Sequence, residues 1–271
     1  MTIPQHPLLP ARFERGVLHV TLNRPEARNA MTREMVVAIR ALFEAIRDDR
    51  GVRVVVVRGA GGHFCAGGDL KEMLASGLKA PAAGEVDMVA ANSRDFGETM
   101  RIVGSAPQVV IAICEGAVLG GGFGLACVSD IAFAKHDAKF GLPETTRGLP
   151  PAQIAPFVVE RIGLTQARKL CLTGAQFDGA EALRLGLVHE GFADEAELAT
   201  KLETTLGQVL NCAPEANAMT KYLILGVSRR DLADVLDDAA ARFAQAVRST
   251  EAAEGIAAFV GKRKPHWAEP S

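Results

Sequence analysis

Apolar positions along the first two thirds of the chain alternate between two textures. Residues 52–57, 108–114 and 130–134 are nearly unbroken runs rich in Val and Ile. Such runs read as strands buried on both faces of a parallel sheet. Phe13 to Leu22 reads as a short β segment with a turn at Arg15-Gly16. Between these, Met35, Val36, Ile39, Leu42, Phe43 and Ile46 fall on one helical face, with Thr32 as N-cap and Gly51 as the expected end. Residues 86–103 repeat the helical spacing through Met88, Val89, Phe96, Met100 and Val103. Strands alternating with helices predict βαβ crossovers and a mostly parallel sheet. From about Gln153 the texture turns helical. Short helices are predicted over 154–161, 165–173 and 179–185, with Asp178/Glu181 and Asp194/Glu197 as capping pairs. Long Ala- and Leu-rich helices follow over about 194–211, 214–225, 230–248 and 250–260, with no strand signal after 188–190. The expected layout is an α/β core over residues 1–190 and an all-helical region over residues 191–271.

Composition narrows this picture. Hydrophobic residues make up 48% of the 271 and aromatics only 5%, so the core is built from Ala, Val, Leu and Ile. A net charge of -2 argues against nucleic acid or an anionic membrane as the main partner. The five cysteines (65, 114, 127, 171, 212) form no C-x-x-C pair, so neither a disulfide framework nor a zinc site is expected. No apolar run approaches the ~20 residues of a membrane span, and the first residues lack a signal-peptide pattern. A cytoplasmic location is expected.

Candidate chemistry centres on Leu119-Gly120-Gly121-Gly122-Phe123-Gly124, between a predicted strand and a short buried helix, and on Pro143-Glu144 after it. A helix start carries unpaired N–H groups and partial positive charge. Glycine lets another molecule approach that backbone closely. The stretch therefore suits an anion or a polarised carbonyl, although the same glycines would also serve tight helix–sheet packing. A second glycine-rich loop spans 59–68, and Asp69 opens a helix after it. The chain has no H-E-x-x-H, no G-x-S-x-G and no complete G-x-G-x-x-G.

Phe64-Cys65-Ala66-Gly67-Gly68-Asp69, Gly116-Ala117-Val118-Leu119-Gly120-Gly121-Gly122 and Phe140-Gly141-Leu142-Pro143-Glu144 resemble the three signature segments of the enoyl-CoA hydratase/isomerase (crotonase) superfamily. Leu22-Asn23-Arg24-Pro25 with Asn29-Ala30, and residues 258–264, resemble its first and last landmarks. The likeness is collinear from about residue 13 to 264. It implies an α/β fold: a crotonase-type ββα spiral core with a C-terminal helical region that forms homotrimers, often paired into hexamers. It implies an acyl-CoA thioester substrate and no separate cofactor, coenzyme A being part of the substrate. It implies an oxyanion hole from the N–H groups of Ala66 and Gly121, and Glu144 as the catalytic acid. Arg28, Ala30, Gly67, Gly68, Asp69, Leu70 and Gly120 are expected along the substrate and coenzyme A path. Phe259 and Lys262 are expected to reach coenzyme A from a neighbouring subunit. The chemistry is coherent. Conjugate addition of water to an enoyl thioester puts negative charge on the thioester oxygen, and losing one preorganised donor typically raises the barrier by roughly 3–4 kcal/mol.

One departure matters. The best-known hydratases of this superfamily use two glutamates, and Gly124 stands where the first is expected. Glu144 then handles both proton transfers alone, or the reaction is a double-bond isomerisation, or another acid substitutes, with Asp69, Glu98 and Glu115 as candidates. Residues 148–159 resemble hydratases acting on 3-branched glutaconyl-CoA esters, of the isohexenylglutaconyl type of terpene breakdown ahead of the methylglutaconyl type of leucine breakdown. A small residue at 124 is expected to leave space beside the β-carbon. Arg147 or Arg94 is a candidate for a distal substrate carboxylate, against the simpler reading of a solvated arginine. A non-catalytic acyl-CoA-binding or RNA-associated relative is the reading from another class. The Ala66, Gly121 and Glu144 set and the acidic balance speak against it.

Overall fold

The computed structural model describes residues 3–75, 81–82 and 84–268. The chain opens with a hairpin, β1 (Ala11–Glu14) and β2 (Val17–Leu22). Arg15 and Gly16 between them both have positive φ (48° and 80°), as a two-residue turn between right-twisted strands requires. Helix α1 (Arg33–Ile46) follows, and the Thr32 hydroxyl accepts the Met35 N–H at 3.2 Å. It stops at Ile46, short of Gly51. The side-chain amide of buried Gln108 donates to the Ile46 and Asp49 carbonyls (2.7 and 3.2 Å) and so takes up helix-end acceptors without glycine.

Next come β3 (Val54–Gly59), α2 (Leu70–Ala75), α3 (Met88–Gly104), β4 (Val109–Cys114), β5 (Ala117–Leu119), α4 (Gly121–Val128), β6 (Ile131–Lys135) and β7 (Lys139–Gly141). After them come α5 (Ala155–Thr173), β8 (Gln176–Asp178), α6 (Gly179–Arg184) and β9 (Glu190–Phe192). The helical tail comprises α7 (Glu195–Asn211), α8 (Pro214–Gly226), α9 (Leu232–Val247) and α10 (Thr250–Val260). The main sheet runs β1-β2-β3-β4-β6-β9, parallel throughout except for the β1–β2 hairpin. Strand β9 begins at Glu190, where the last strand signal of the sequence, at 188–190, ends. Helix α5 is interrupted at Gly163 (φ 75°, ψ 161°), matching the two short helices predicted there.

The sheet is covered on both faces, which is why its strands read as unbroken apolar runs. One face packs under α1, α3, α4 and α5. The other presents Val54, Val56, Ile111, Ile113 and Phe133 to Leu198, Leu202, Leu206, Val209 and Leu210 of α7. The α/β unit therefore extends through Asn211 and does not close at residue 190. Within the tail, α8 to α10 contribute no residue to the buried clusters on the sheet, and α8 is pinned beside it by Lys221, whose ammonium meets Asp130 at 2.7 Å. No helix among the described residues is long and apolar enough to cross a membrane.

A second sheet, β5-β7-β8, positions the candidate chemistry. Parallel pairing of β5 with β7 sets Leu119 beside Gly141. The Gly120 N–H then donates to the Gly141 carbonyl at 3.0 Å. The glycine turn and the segment leading to Glu144 are thereby joined. Phe123, Phe140 and Phe177 pack beneath them ring against ring.

Candidate active site

Two loops supply backbone donors. The loop at 64–69 is stitched to β5 by Cys65 N–H to Ala117 O and Leu119 N–H to Cys65 O, both 2.9 Å. On its other side Met31 N–H donates to Gly67 O (2.7 Å) and Asp69 N–H to Met31 O (3.0 Å). The Ala66 N–H is also engaged, donating to Arg28 O at 3.0 Å. It has no proton to offer a ligand, contrary to the role the sequence suggested for it. The Gly68 N–H, two residues on, has no acceptor among the described residues. The second donor is Gly121 N–H, at the first position of α4, where no intrahelical acceptor exists. The two loops touch. Gly67 has φ +100°, and a Cβ there would lie 3.5 Å from the Gly121 nitrogen. The free pair is thus Gly68 and Gly121.

Glu144 follows β7 in a short 3-10 turn, Pro143–Arg147. One carboxyl oxygen, Oε2, is buried without a hydrogen-bond partner. The other lies so close to Gly120 that a Cβ on that glycine would come within 2.7 Å of Oε1. Burial raises the Glu144 pKa from its ordinary value, while its own backbone N–H and then Arg147 pull the other way. A desolvated carboxyl with one unpartnered oxygen is suited to accept and return a proton.

Glu144, Gly68 and Gly121 open onto one cavity of about 580 Å³. Of the residues singled out in the sequence, Ala66, Gly67, Asp69, Leu70 and Gly120 also line it, whereas Arg28, Ala30, Phe259 and Lys262 do not. Arg28 is exposed on the far side of the Ala66 hydrogen bond. Phe259 is 85% exposed on α10. Arg147 lines the cavity and has no ion-pair partner among the described residues. Arg94 instead pairs with Glu98 at 3.1 Å and lies outside.

The three candidate second acids are all engaged. Glu98 is held down at about 2, chiefly by its hydrogen bond from Arg101. Glu115 accepts two hydrogen bonds from Arg58 at 2.6 and 2.9 Å. Neither lines the cavity. Asp69 does. Burial would raise its pKa, but the Glu72 amide and Arg24 outweigh that and leave it lowered. Nor is there a void at Gly124. A Cβ there would fall 2.4 Å from Cγ2 of Ile154, whose buried side chain fills the position.

Cys65 is fully buried and its thiol is pushed up to about 12 by burial, which removes it as a nucleophile. His63 is a structural acceptor, its Nδ1 taking the Ala117 N–H at 3.1 Å. Sequence reasoning overlooked the part played by Asn29. It is fully buried at φ 57°, accepts the Arg24 N–H (2.8 Å) and donates to the Ala60 and His63 carbonyls (2.9 and 2.6 Å). The signal available was a short polar residue able to occupy the left-handed region next to a proline turn.

Residues 12–270 match the enoyl-CoA hydratase/isomerase family. The solved structure of Pseudomonas aeruginosa AtuE is 56% identical, covers 97% of this chain and 100% of its own, and superimposes with a TM-score of 0.92. An enoyl-CoA hydratase/isomerase from Marinobacter aquaeolei is 50% identical over 97% of this chain and 99% of its own, with a TM-score of 0.93. The human enoyl-CoA hydratase domain-containing protein 2, mitochondrial, is 34% identical over 259 residues, 94% of this chain and 86% of the human one. Likeness of this extent, in both sequence and fold, makes the assignment plain: the chain belongs to the enoyl-CoA hydratase/isomerase family of enzymes.

Proposed function

We propose that this protein is an enoyl-CoA hydratase that adds water across the double bond of a 3-branched 2-enoyl-CoA, isohexenylglutaconyl-CoA first and methylglutaconyl-CoA second. The thioester carbonyl accepts the N–H groups of Gly68 and Gly121, which stabilise the enolate as water attacks the β-carbon. Glu144 takes the proton from that water and returns one to the α-carbon. The observation that carries this reading is the buried, unpartnered Oε2 of Glu144 in the cavity shared with both amides. The size of the cavity and its apolar wall, with Val89, Phe96 and Leu149, suit a branched acyl group. Arg147 suits the distal carboxylate of a glutaconyl ester. Phe259 and Lys262 act on coenzyme A bound to a neighbouring subunit of a homotrimer, and no separate cofactor takes part. A double-bond isomerase is the second reading, favoured by one observation: Asp69, Glu98 and Glu115 are all tied up in ion pairs or capping bonds, leaving Glu144, of these four, with a buried unpartnered carboxyl oxygen.

The test is turnover of isohexenylglutaconyl-CoA and of a 3-enoyl-CoA by the wild-type protein and by Glu144→Ala. Hydration that falls about 10²–10⁴-fold in the variant supports the hydratase. Isomerisation alone supports the second reading, and no turnover of either thioester refutes both.

A further inference from the structure

The cavity wall at 150–154 is seated in two notches. At Gly97 of α3 a Cβ would lie 2.1 Å from Oε1 of Gln153, and at Gly124 of α4 a Cβ would lie 2.4 Å from Cγ2 of Ile154. Consecutive side chains thus occupy space that two helices leave open by carrying glycine. The backbone beneath them has little freedom. Pro150 and Pro151 precede the pair, and Ile154 O accepts the Val158 N–H at 3.0 Å as α5 begins. Ile154 is β-branched and stiff at χ1, 3% exposed, and lines the same cavity as Glu144.

We propose that Ile154, set in the Gly124 notch, is a specificity-determining residue that gauges the size of the acyl branch. This rests on the acyl thioester reading above. Because Gly124 has no side chain, Ile154 withdraws into α4 as far as the backbone permits, and the cavity gains the volume it vacates. A side chain at 124 has to displace Ile154, and the cavity that Ile154 lines offers the space to receive it. The two positions therefore act on substrate choice with opposite sign. Shortening residue 154 widens the acyl end, and enlarging residue 124 narrows it.

The experiment measures kcat/KM for crotonyl-CoA, methylglutaconyl-CoA and isohexenylglutaconyl-CoA in the wild type, Ile154→Val, Ile154→Ala, Gly124→Ala and the double variant Gly124→Ala/Ile154→Ala. The readout is the ratio of large-branch to small-branch turnover, which a purely structural role would leave unchanged. Ile154→Ala should raise the ratio about tenfold, Ile154→Val less, and Gly124→Ala should lower it about tenfold. The double variant should return towards the wild-type ratio. Ratios within twofold of wild type in the Ile154 series, or a shift of the same sign at both positions, overturn the gauge. The Ile154 series decides the matter even if Gly124→Ala does not fold. Wild-type turnover of crotonyl-CoA alone would refute the branched-substrate reading. The gauge would then stand if Ile154→Ala gained turnover of a branched thioester and fall if it did not.

Discussion

Glu144 is held in a state its surroundings resist. Its Oε2 has no partner, and burial favours the neutral acid. A carboxyl whose pKa is raised by folding contributes stability below its unfolded pKa and loses it as pH rises through the folded value. Glu144→Gln should therefore match the wild type in thermal unfolding near pH 4 and exceed it at pH 7 to 8, and equal midpoints at both ends would refute this. Arg147 is the neighbouring cation that opposes the effect. Arg147→Ala should raise KM for a glutaconyl thioester about 10–100-fold, the loss of a charge-assisted hydrogen bond, with little change for crotonyl-CoA. It should also move the Glu144 limb of the kcat–pH profile upward. At this scale the meeting of Glu144 and Gly121 on one cavity was legible, because it is written in residue type and in position after a strand. The choice between Ala66 and Gly68 was not. Which amide in a loop is already engaged depends on Arg28 O, a tertiary partner some forty residues away.

Among elements, the loop at 23–31 matters more than its lack of regular structure suggests. Asn29 ties it to the 60–63 turn through two hydrogen bonds and braces the loop itself through a third from Arg24 N–H, with no exposed surface. Asn29→Ala would strand two carbonyls and an N–H and place alanine at φ 57°. Denaturant unfolding should show a loss of about 2–4 kcal/mol. The long helices and the Val-rich strands were readable because their periodicity extends over many residues. The three-residue strands β5, β7 and β8 were not, since so short a segment carries no period and is created by its partner. The space at Gly124 was misread for a related reason. A glycine shows that something fits closely, and only the fold shows that the something is Ile154.

At the level of the whole molecule, the tail divides by what it buries. Helix α7 closes one face of the sheet, a role its position after residue 190 did not suggest. By contrast, Leu232, Leu236, Phe243 and Val247 form one stripe along α9 that stays exposed, and Ile256, Phe259 and Val260 stay exposed on α10. That much uncovered apolar surface fits the proposed homotrimer. The protein should sediment at a multiple of its single-chain mass, and Phe243→Glu should shift it to smaller species. A wild-type protein that sediments as one chain would refute the assembly.

The hydrogen bond from Ala66 to Arg28 has a mechanical consequence. It couples the Arg28 segment, expected on the coenzyme A path, to the loop that presents Gly68. The disorder that loop could have had is removed when the chain folds rather than when thioester arrives. Charge that builds on the bound oxygen therefore finds a dipole already pointing at it, and the reacting step need not wait for the protein to turn.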